Sequence, residues 1–141
     1  MLRANTRLSH SQTLVETGER VEVGLKGYKK DAPKYVMLPG FARLRHVEVE
    51  KRILQLKEYA ETTDLNRIEW GDKKIGIITS GVCYQYLREV MPEVSVLKLG
   101  MVNPLPENLI RSYAAEVDRL IVLDEWGPVI DDELNDWGLK G

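Results

Sequence analysis

The sequence predicts an α/β domain, a three-layer α/β/α sandwich around a mainly parallel sheet. Three short apolar runs, Ile75–Ile78, Val94–Leu99 and Leu120–Leu123, are rich in branched residues, and each precedes a segment of helical character. Short connections join these units, and strands that alternate with helices form parallel sheets covered on both faces. This architecture hosts many activities, so it predicts no function by itself.

Two parts of the chain differ in pattern. Residues 1–33 are polar and weakly periodic, whereas residues 34–141 carry the alternating elements. An arm of about thirty residues without strong secondary structure is long for a compact domain, so we expect it to connect to a neighbouring domain. The stretch from Lys34 to Pro39 is predicted to be extended.

The first two helices are predicted from apolar spacing and from their stop signals. The first runs from Ala42 to Glu61, and a turn and a short strand at Arg67 follow it. Its expected packing face repeats at spacings of four and three and consists of Val49, Ile53, Leu56 and Ala60. The second runs from Gly81 to Met91, where Pro92 ends it. Its expected inward face consists of Val82, Tyr86, Leu87 and Val90.

The last two helices have clear start signals. Pro106 and Glu107 are typical of a first helical turn, where a proline is tolerated and the helix dipole favours an acid. The expected buried stripe of this helix consists of Leu109, Ile110, Tyr113, Ala114 and Val117. Gly127–Pro128 opens a final acidic helix that is predicted to reach about Trp137.

Composition excludes several classes of protein. With 141 residues, 43% of them hydrophobic, the chain suffices for one ordinary core. A net charge of −2 predicts neither nucleic-acid nor anionic-membrane binding. No apolar run approaches the roughly 20 residues needed to span a bilayer, and the amino terminus lacks a hydrophobic signal core, so we expect a cytoplasmic location. Cys83 is the single cysteine, and no metal site is predicted.

The carboxyl ends of parallel strands are where ligands gather in open α/β sheets. Thr79-Ser80-Gly81 follows the first long strand, and its hydroxyls and amides are candidates for holding an anion. The alternative is a plain strand-to-helix turn capped by Ser80. Gly100–Pro106 is interpreted as a rigid connector. Asp124-Glu125-Trp126 is interpreted as a helix cap or an interface, because no histidine or further acid is spaced to complete a metal site.

One other polar run, Arg7-Leu-Ser-His-Ser-Gln, is suited to proton chemistry. His10 is a candidate for proton transfer, and Arg7 is able to bind a carboxylate through two hydrogen bonds. No second histidine or acid in register accompanies Ser9, so no catalytic residue is predicted. We expect Arg7, Ser9 and His10 to lie at an interdomain or substrate-proximal position.

Several motifs together resemble the alpha subunit of indolepyruvate ferredoxin oxidoreductases, in the segment similar to the C-terminal domain of transketolases. The matching residues are spread over most of the chain: Arg7 to Gln12, Lys30-Asp31, Tyr35 to Pro39, Ala42-Arg43, Arg45-His46, Ile75 to Tyr86, Leu97 to Gly100, Pro104 to Glu107, and Leu120 to Glu125. As a set these motifs are specific.

The resemblance implies a parent enzyme that uses thiamine diphosphate, magnesium, iron-sulfur clusters and CoA to convert aryl pyruvates to acyl-CoA. Its implied partners are the remaining domains of the alpha subunit, a beta subunit and ferredoxin, and a homodimer is a further expectation. This sequence contains neither a Gly-Asp-Gly motif nor a Cys-x-x-Cys cluster. The resemblance therefore implies a middle structural and assembly domain, inactive alone and without a cofactor of its own, with residues 1–33 as the linker from a pyrimidine-binding domain.

Two alternatives remain open from the residues alone. The Thr79-Ser80-Gly81 turn would suit a module that contacts CoA or another small anionic ligand. The chain would otherwise be a free-standing interaction domain, in which case its exposed faces should carry few large apolar residues.

Overall fold

The computed structural model describes residues 6–10, 12, 14–125 and 127–139, with only the backbone of residues 7 and 8. The chain divides into two units, residues 1–32 and residues 33–141. The first unit contains the short helix α1, Thr6–His10, and α2 spans Ala32–Tyr35. The identity of residues 1–33 as an interdomain linker stays a prediction.

The second unit contains a four-stranded sheet. Its strands are β1 (Arg67–Glu69), β2 (Asp72–Ser80), β3 (Val94–Leu99) and β4 (Leu120–Leu123), in the order β1-β3-β2-β4. The central strand β2 pairs in parallel with both β3 and β4, whereas β1 runs antiparallel to β3. The predicted α/β fold with a mainly parallel sheet is thereby confirmed.

Helices cover both faces of this sheet. They are α3 (Pro39–Thr62), α4 (Gly81–Val90), α5 (Glu107–Ala114) and α6 (Val129–Asp136). Because side chains alternate along a strand, Ile77 packs with Leu87 of α4 on one face, and Ile78 packs with α5 and α6 on the other. The second core is the larger, and its buried members are Ile78, Leu97, Leu99, Leu105, Ile110, Tyr113, Leu120, Ile130 and Leu134.

The local signals for α5 and α6 are confirmed. Ile110 and Tyr113 are fully buried, as the predicted stripe requires, and Glu107 lies in the first turn of α5. Helix α6 ends at Asp136, and Gly138 has a φ of 75°, a left-handed value that favours glycine. The Leu139 amide then donates to the Leu134 carbonyl at 2.9 Å, which closes the helix end.

Three expectations about the first half of the domain are wrong. Residues 32–35 are helical, so the stretch from Lys34 to Pro39 is not extended throughout. Only the carboxyl end of the predicted α3 face packs: Ala60 is fully buried, whereas Val49 and Ile53 are 39% and 40% exposed. The reason is that α3 extends beyond the rest of the domain, which covers only the carboxyl end of the helix.

The third correction concerns the orientation of α4. Of its expected inward face only Leu87 is buried, while Tyr86 and Val90 are 62% and 77% exposed. The helix is rotated so that Tyr84 and Arg88 reach Glu69 on β1. The hydrogen bonds to the partly exposed Glu69 carboxylate accompany a rotation of α4 that apolar periodicity predicted incorrectly.

Candidate functional site

The carboxyl end of β2 is the first candidate site. Thr79 is fully buried, and its Oγ1 donates to the Leu123 carbonyl at 2.9 Å, so this hydroxyl joins β2 to β4. Ser80 is the N-cap of α4 but makes no side-chain capping hydrogen bond. Gly81 has a φ of 57°, which lets the strand turn directly into the helix. The three residues lie together as the sequence predicts, and their ligand-binding role stays a prediction.

The carboxyl end of β4 has a structural role. One Asp124 oxygen accepts the Glu125 amide at 2.9 Å, and the other accepts the Ile130 amide at 3.3 Å. The carboxylate therefore satisfies an amide in the first turn of α6, where a negative charge also suits the helix dipole. The predicted capping role is confirmed for Asp124, and Trp126 lies outside the described residues.

Two cavities lie near this edge of the sheet. A groove of about 730 Å³ runs along β4 from Asp118 to Asp124, and Gly127, Pro128 and Asp131 also line it. A smaller cavity of about 380 Å³ lies between the β3–α5 loop and α6. Its lining combines apolar and polar groups: Lys57, Val102, Asn103, Pro104, Leu105, Val129, Glu133 and Trp137.

The loop that borders the smaller cavity is held by Asn66. This amide is 7% exposed, and its Nδ2 donates to the Ala60 carbonyl at 2.9 Å. Its Oδ1 accepts the amides of Gly100 and Met101 at 3.0 and 2.9 Å. One side chain thus joins the end of α3 to the end of β3. The sequence indicates only a turn at Asn66, because two of its partners, Gly100 and Met101, lie more than thirty residues away.

Glu61 forms a second connection between the same elements. Its carboxylate accepts the amides of Asn108 and Leu109 at 3.0 and 2.8 Å. These are otherwise unpaired donors at the start of α5, so a side chain of α3 caps another helix. The Lys57 ammonium adds an ion pair with Glu107 at 3.4 Å. Local sequence patterns give no signal for such a cap.

Glu69 organises a polar cluster on the opposite face. Its carboxylate accepts hydrogen bonds from Arg67 Nε, Tyr84 Oη and Arg88 Nε, each at 2.8 Å. Desolvation raises the pKa of Glu69, but these three hydrogen bonds outweigh it and lower that pKa to about 2. The Lys98 ammonium lies 5.9 Å from the centre of the Tyr84 ring. The cluster joins β1, β3 and α4, and sequence reasoning missed it.

The polar run near the amino terminus lies in the first unit. Ser9 and His10 lie in α1 and are exposed, and the side chain of Arg7 is outside the described residues. Nothing in the described structure tests the roles expected for Arg7, Ser9 and His10. Their interdomain or substrate-proximal position therefore stays a prediction.

Searches for two further kinds of feature gave negative results within the described ranges. There, no three or more His, Cys, Asp or Glu residues are grouped so that they could hold a metal ion. Nor does any described helix have the length and apolar character needed to cross a membrane.

The fold, and the polar side chains at the carboxyl ends of its strands, show what class of protein this is. It is a three-layer α/β domain in which most of the polar side chains described above connect one helix or strand to another. Comparison identifies its relatives. The chain is similar to indolepyruvate oxidoreductase subunit IorA of Methanothermobacter thermautotrophicus (30% identity over 95% of this chain), of Methanothermobacter marburgensis (33% over 95%) and of Archaeoglobus fulgidus (32% over 99%). The predicted resemblance is confirmed.

The similarity covers only part of the relatives. The chain spans 23% of the length of each of these three subunits, so it corresponds to one segment of them. No protein-family model matches the chain. No solved structure matches it significantly.

Proposed function

We propose that this chain is a structural and assembly segment of a 2-oxoacid ferredoxin oxidoreductase of the indolepyruvate type. The observation that carries the proposal is its similarity, over 95% of its length, to 23% of a subunit named for indolepyruvate oxidation. In such an enzyme the segment would orient the other domains of the alpha subunit, with a beta subunit and ferredoxin as partners of the assembly.

The use of its polar groups supports an assembly role. Three side chains that each make several hydrogen bonds, Asn66, Glu61 and Glu69, are committed to joining elements of the domain. Asp124 and Thr79, at the edge where ligands usually gather, are likewise committed to backbone groups. Such hydrogen bonds produce a rigid framework, because buried polar groups that are paired hold the helices and strands in one arrangement.

The cofactors of the parent enzyme are proposed to lie on other parts of it. Iron-sulfur clusters are held by several cysteine thiolates, and this sequence has one cysteine. Magnesium with thiamine diphosphate needs oxygen ligands, and the described acids form no group that fits a metal. The described residues therefore do not fit these groups, and we assign them no catalytic step.

A second candidate function is contact with CoA or another small anionic ligand. Ser80 favours it, because its hydroxyl makes no capping hydrogen bond at the start of α4. Gly81 favours it as well, since a Cβ built there would meet nothing within 4 Å. Thr79 does not, because its hydroxyl is already bonded to the Leu123 carbonyl.

A segment exchange tests the assembly role. In the IorA subunit of Methanothermobacter thermautotrophicus, this sequence would replace the segment that it matches. We expect the exchanged enzyme to assemble and to oxidise indolepyruvate. Asn66→Leu in the exchanged segment should reduce assembly and activity together, whereas Ser80→Ala should leave both unchanged. Two results would contradict the proposal. One is an exchanged enzyme that assembles normally but does not oxidise indolepyruvate, and the other is a raised KM for CoA in the Ser80→Ala enzyme.

A further inference from the structure

Helix α3 presents an apolar seam that its own domain does not cover. Over the 24 residues of the helix, positions separated alternately by four and three residues lie on one side. The seam consists of Ala42, Val49, Ile53, Leu56 and Ala60, and the polar His46 occupies its one remaining position. Ala60 is buried, but the seam then continues away from the domain as Ile53 and Val49, about two-fifths exposed.

The length of α3 makes this exposure unusual. At about 1.5 Å per residue a helix of 24 residues spans about 36 Å. Its described connections to the rest of the domain lie at its carboxyl end, through Lys57, Ala60 and Glu61. In proteins, helix stability comes mainly from packing of an apolar face. The uncovered part of the seam therefore continues an established packing face and is suited to a further partner.

The spacing of the seam indicates the shape of that partner. A strict alternation of four and three is the pattern of a helix that packs along another helix. A helix that lies on a membrane surface instead needs a broad apolar face. Here the seam is narrow, because charged Arg45 and Arg52 border one side and Lys57 borders the other.

The charge of these borders indicates the chemistry of the partner. The positions beside the seam hold Arg45 and Arg52 on one side and Arg43, Glu50 and Lys57 on the other, four basic side chains against one acid. Glu48 already has cationic partners within α3. A hydrogen bond from Lys51 at 3.0 Å and the charges of Arg45 and Arg52 lower the pKa of its carboxyl group. Glu50 lies 3.3 Å from His46. The borders of the seam are thus cationic.

We propose that the seam of α3 docks an amphipathic helix whose apolar stripe is bordered by carboxylates. The occupant packs its stripe on Val49, Ile53 and Leu56, and its acids face Arg45 and Arg52. This inference rests on the geometry and charge of α3 and is independent of the proposed function. A second copy of the chain fits less well, since two cationic borders would then face each other.

The experiment uses the whole chain and two synthetic probes. Each probe is a three-heptad peptide with leucine at its seam positions, and one carries glutamate and the other lysine at the bordering positions. Binding is measured by fluorescence anisotropy of the labelled peptide at low and high salt. We expect the glutamate peptide to bind at least tenfold more tightly than the lysine peptide, and to weaken as salt rises.

Two variants test the position of the site. Ile53→Glu should weaken binding of the glutamate peptide at least tenfold, because it places a charge in the middle of the seam. Leu54→Glu is the matched control: Leu54 is 64% exposed but lies on another side of α3, so its substitution should change Kd less than twofold. Circular dichroism checks that both variants remain folded.

Several outcomes would overturn the proposal. Equal affinity for the two peptides, or no binding of either, would contradict the charge argument. Equal weakening by the two variants would show that the seam is not the site. Light scattering that finds a dimer abolished by Ile53→Glu would assign the seam to a second copy. Binding to phosphatidylserine vesicles that is lost in Ile53→Glu, without peptide binding, would assign it to a lipid surface.

Discussion

Replacing Asn66 by alanine should strongly destabilise the domain. The substitution removes the partner of the Ala60 carbonyl and that of the Met101 amide, bonded to Asn66 at 2.9 Å each. The Gly100 amide keeps its other acceptor, the Leu65 carbonyl at 3.0 Å. An unpaired buried polar group costs about 1–3 kcal/mol, so two such groups should lower the free energy of unfolding by about 2–6 kcal/mol.

Equilibrium unfolding in urea, followed by circular dichroism, measures this loss. Asn135→Ala is the control, because the Asn135 amide makes an exposed hydrogen bond to Asp131 at 3.2 Å and its loss should cost no more than about 0.5 kcal/mol. Asn66→Asp keeps the acceptor oxygens but loses the donor to Ala60, so its loss should be intermediate. If Asn66→Ala lost no more stability than Asn135→Ala, the connecting role of this amide would be refuted.

Two further predictions concern pH and close packing. Because its folded pKa is about 2, below the ordinary value near 4.3, Glu69 stabilises the domain above about pH 4.3 and loses this contribution as pH falls towards 2. Because solvent screens this partly exposed group, its contribution to the free energy of unfolding is reduced to about 1–2 kcal/mol. Between pH 5 and pH 2 the wild-type chain should therefore lose about 1–2 kcal/mol more stability than Glu69→Gln. If the acid-unfolding curves of the two proteins ran parallel, the stabilising role of the Glu69 cluster would be contradicted. At Gly71 an added Cβ would lie 2.2 Å from the Glu93 backbone carbonyl, so Gly71→Ala should cost about 1–3 kcal/mol in the urea assay, whereas Gly18→Ala, with nothing within 4 Å, should cost none. If the two variants had equal urea midpoints of unfolding, the backbone near residue 71 would be able to move far enough to accommodate the added Cβ.

The elements that the sequence predicts well are those specified by local signals. Pro106 and Glu107 mark the start of α5, and its apolar spacing identifies Ile110 and Tyr113 as core residues. The sequence predicts Asp124 to lie in a helix cap or an interface, and the structure gives it a cap whose partner, the Ile130 amide, is only six residues away. Branched apolar runs likewise identify β2, β3 and β4, since a strand buried on both faces needs no alternation.

What the sequence does not predict depends on partners distant along the chain. Asn66 resembles an ordinary turn residue, and only folding brings Gly100 and Met101 to its amide. Helix α4 has two apolar sides, and the choice between them is made by hydrogen bonds from Tyr84 and Arg88 to Glu69. For the candidate site, the position of the strand ends was predictable, but the commitment of Thr79 to a carbonyl 44 residues away was not.

The central claim is that this segment is a framework whose own residues hold none of the parent enzyme's small molecules. Isothermal titration calorimetry tests it most directly, with thiamine diphosphate plus magnesium, CoA and indolepyruvate each titrated into the purified chain. We expect no binding heat with any of them and no rise in Tm, since a ligand that binds the folded state must stabilise it. Saturable binding of CoA that Ser80→Ala weakens would contradict the account and assign a ligand site to the turn between β2 and α4.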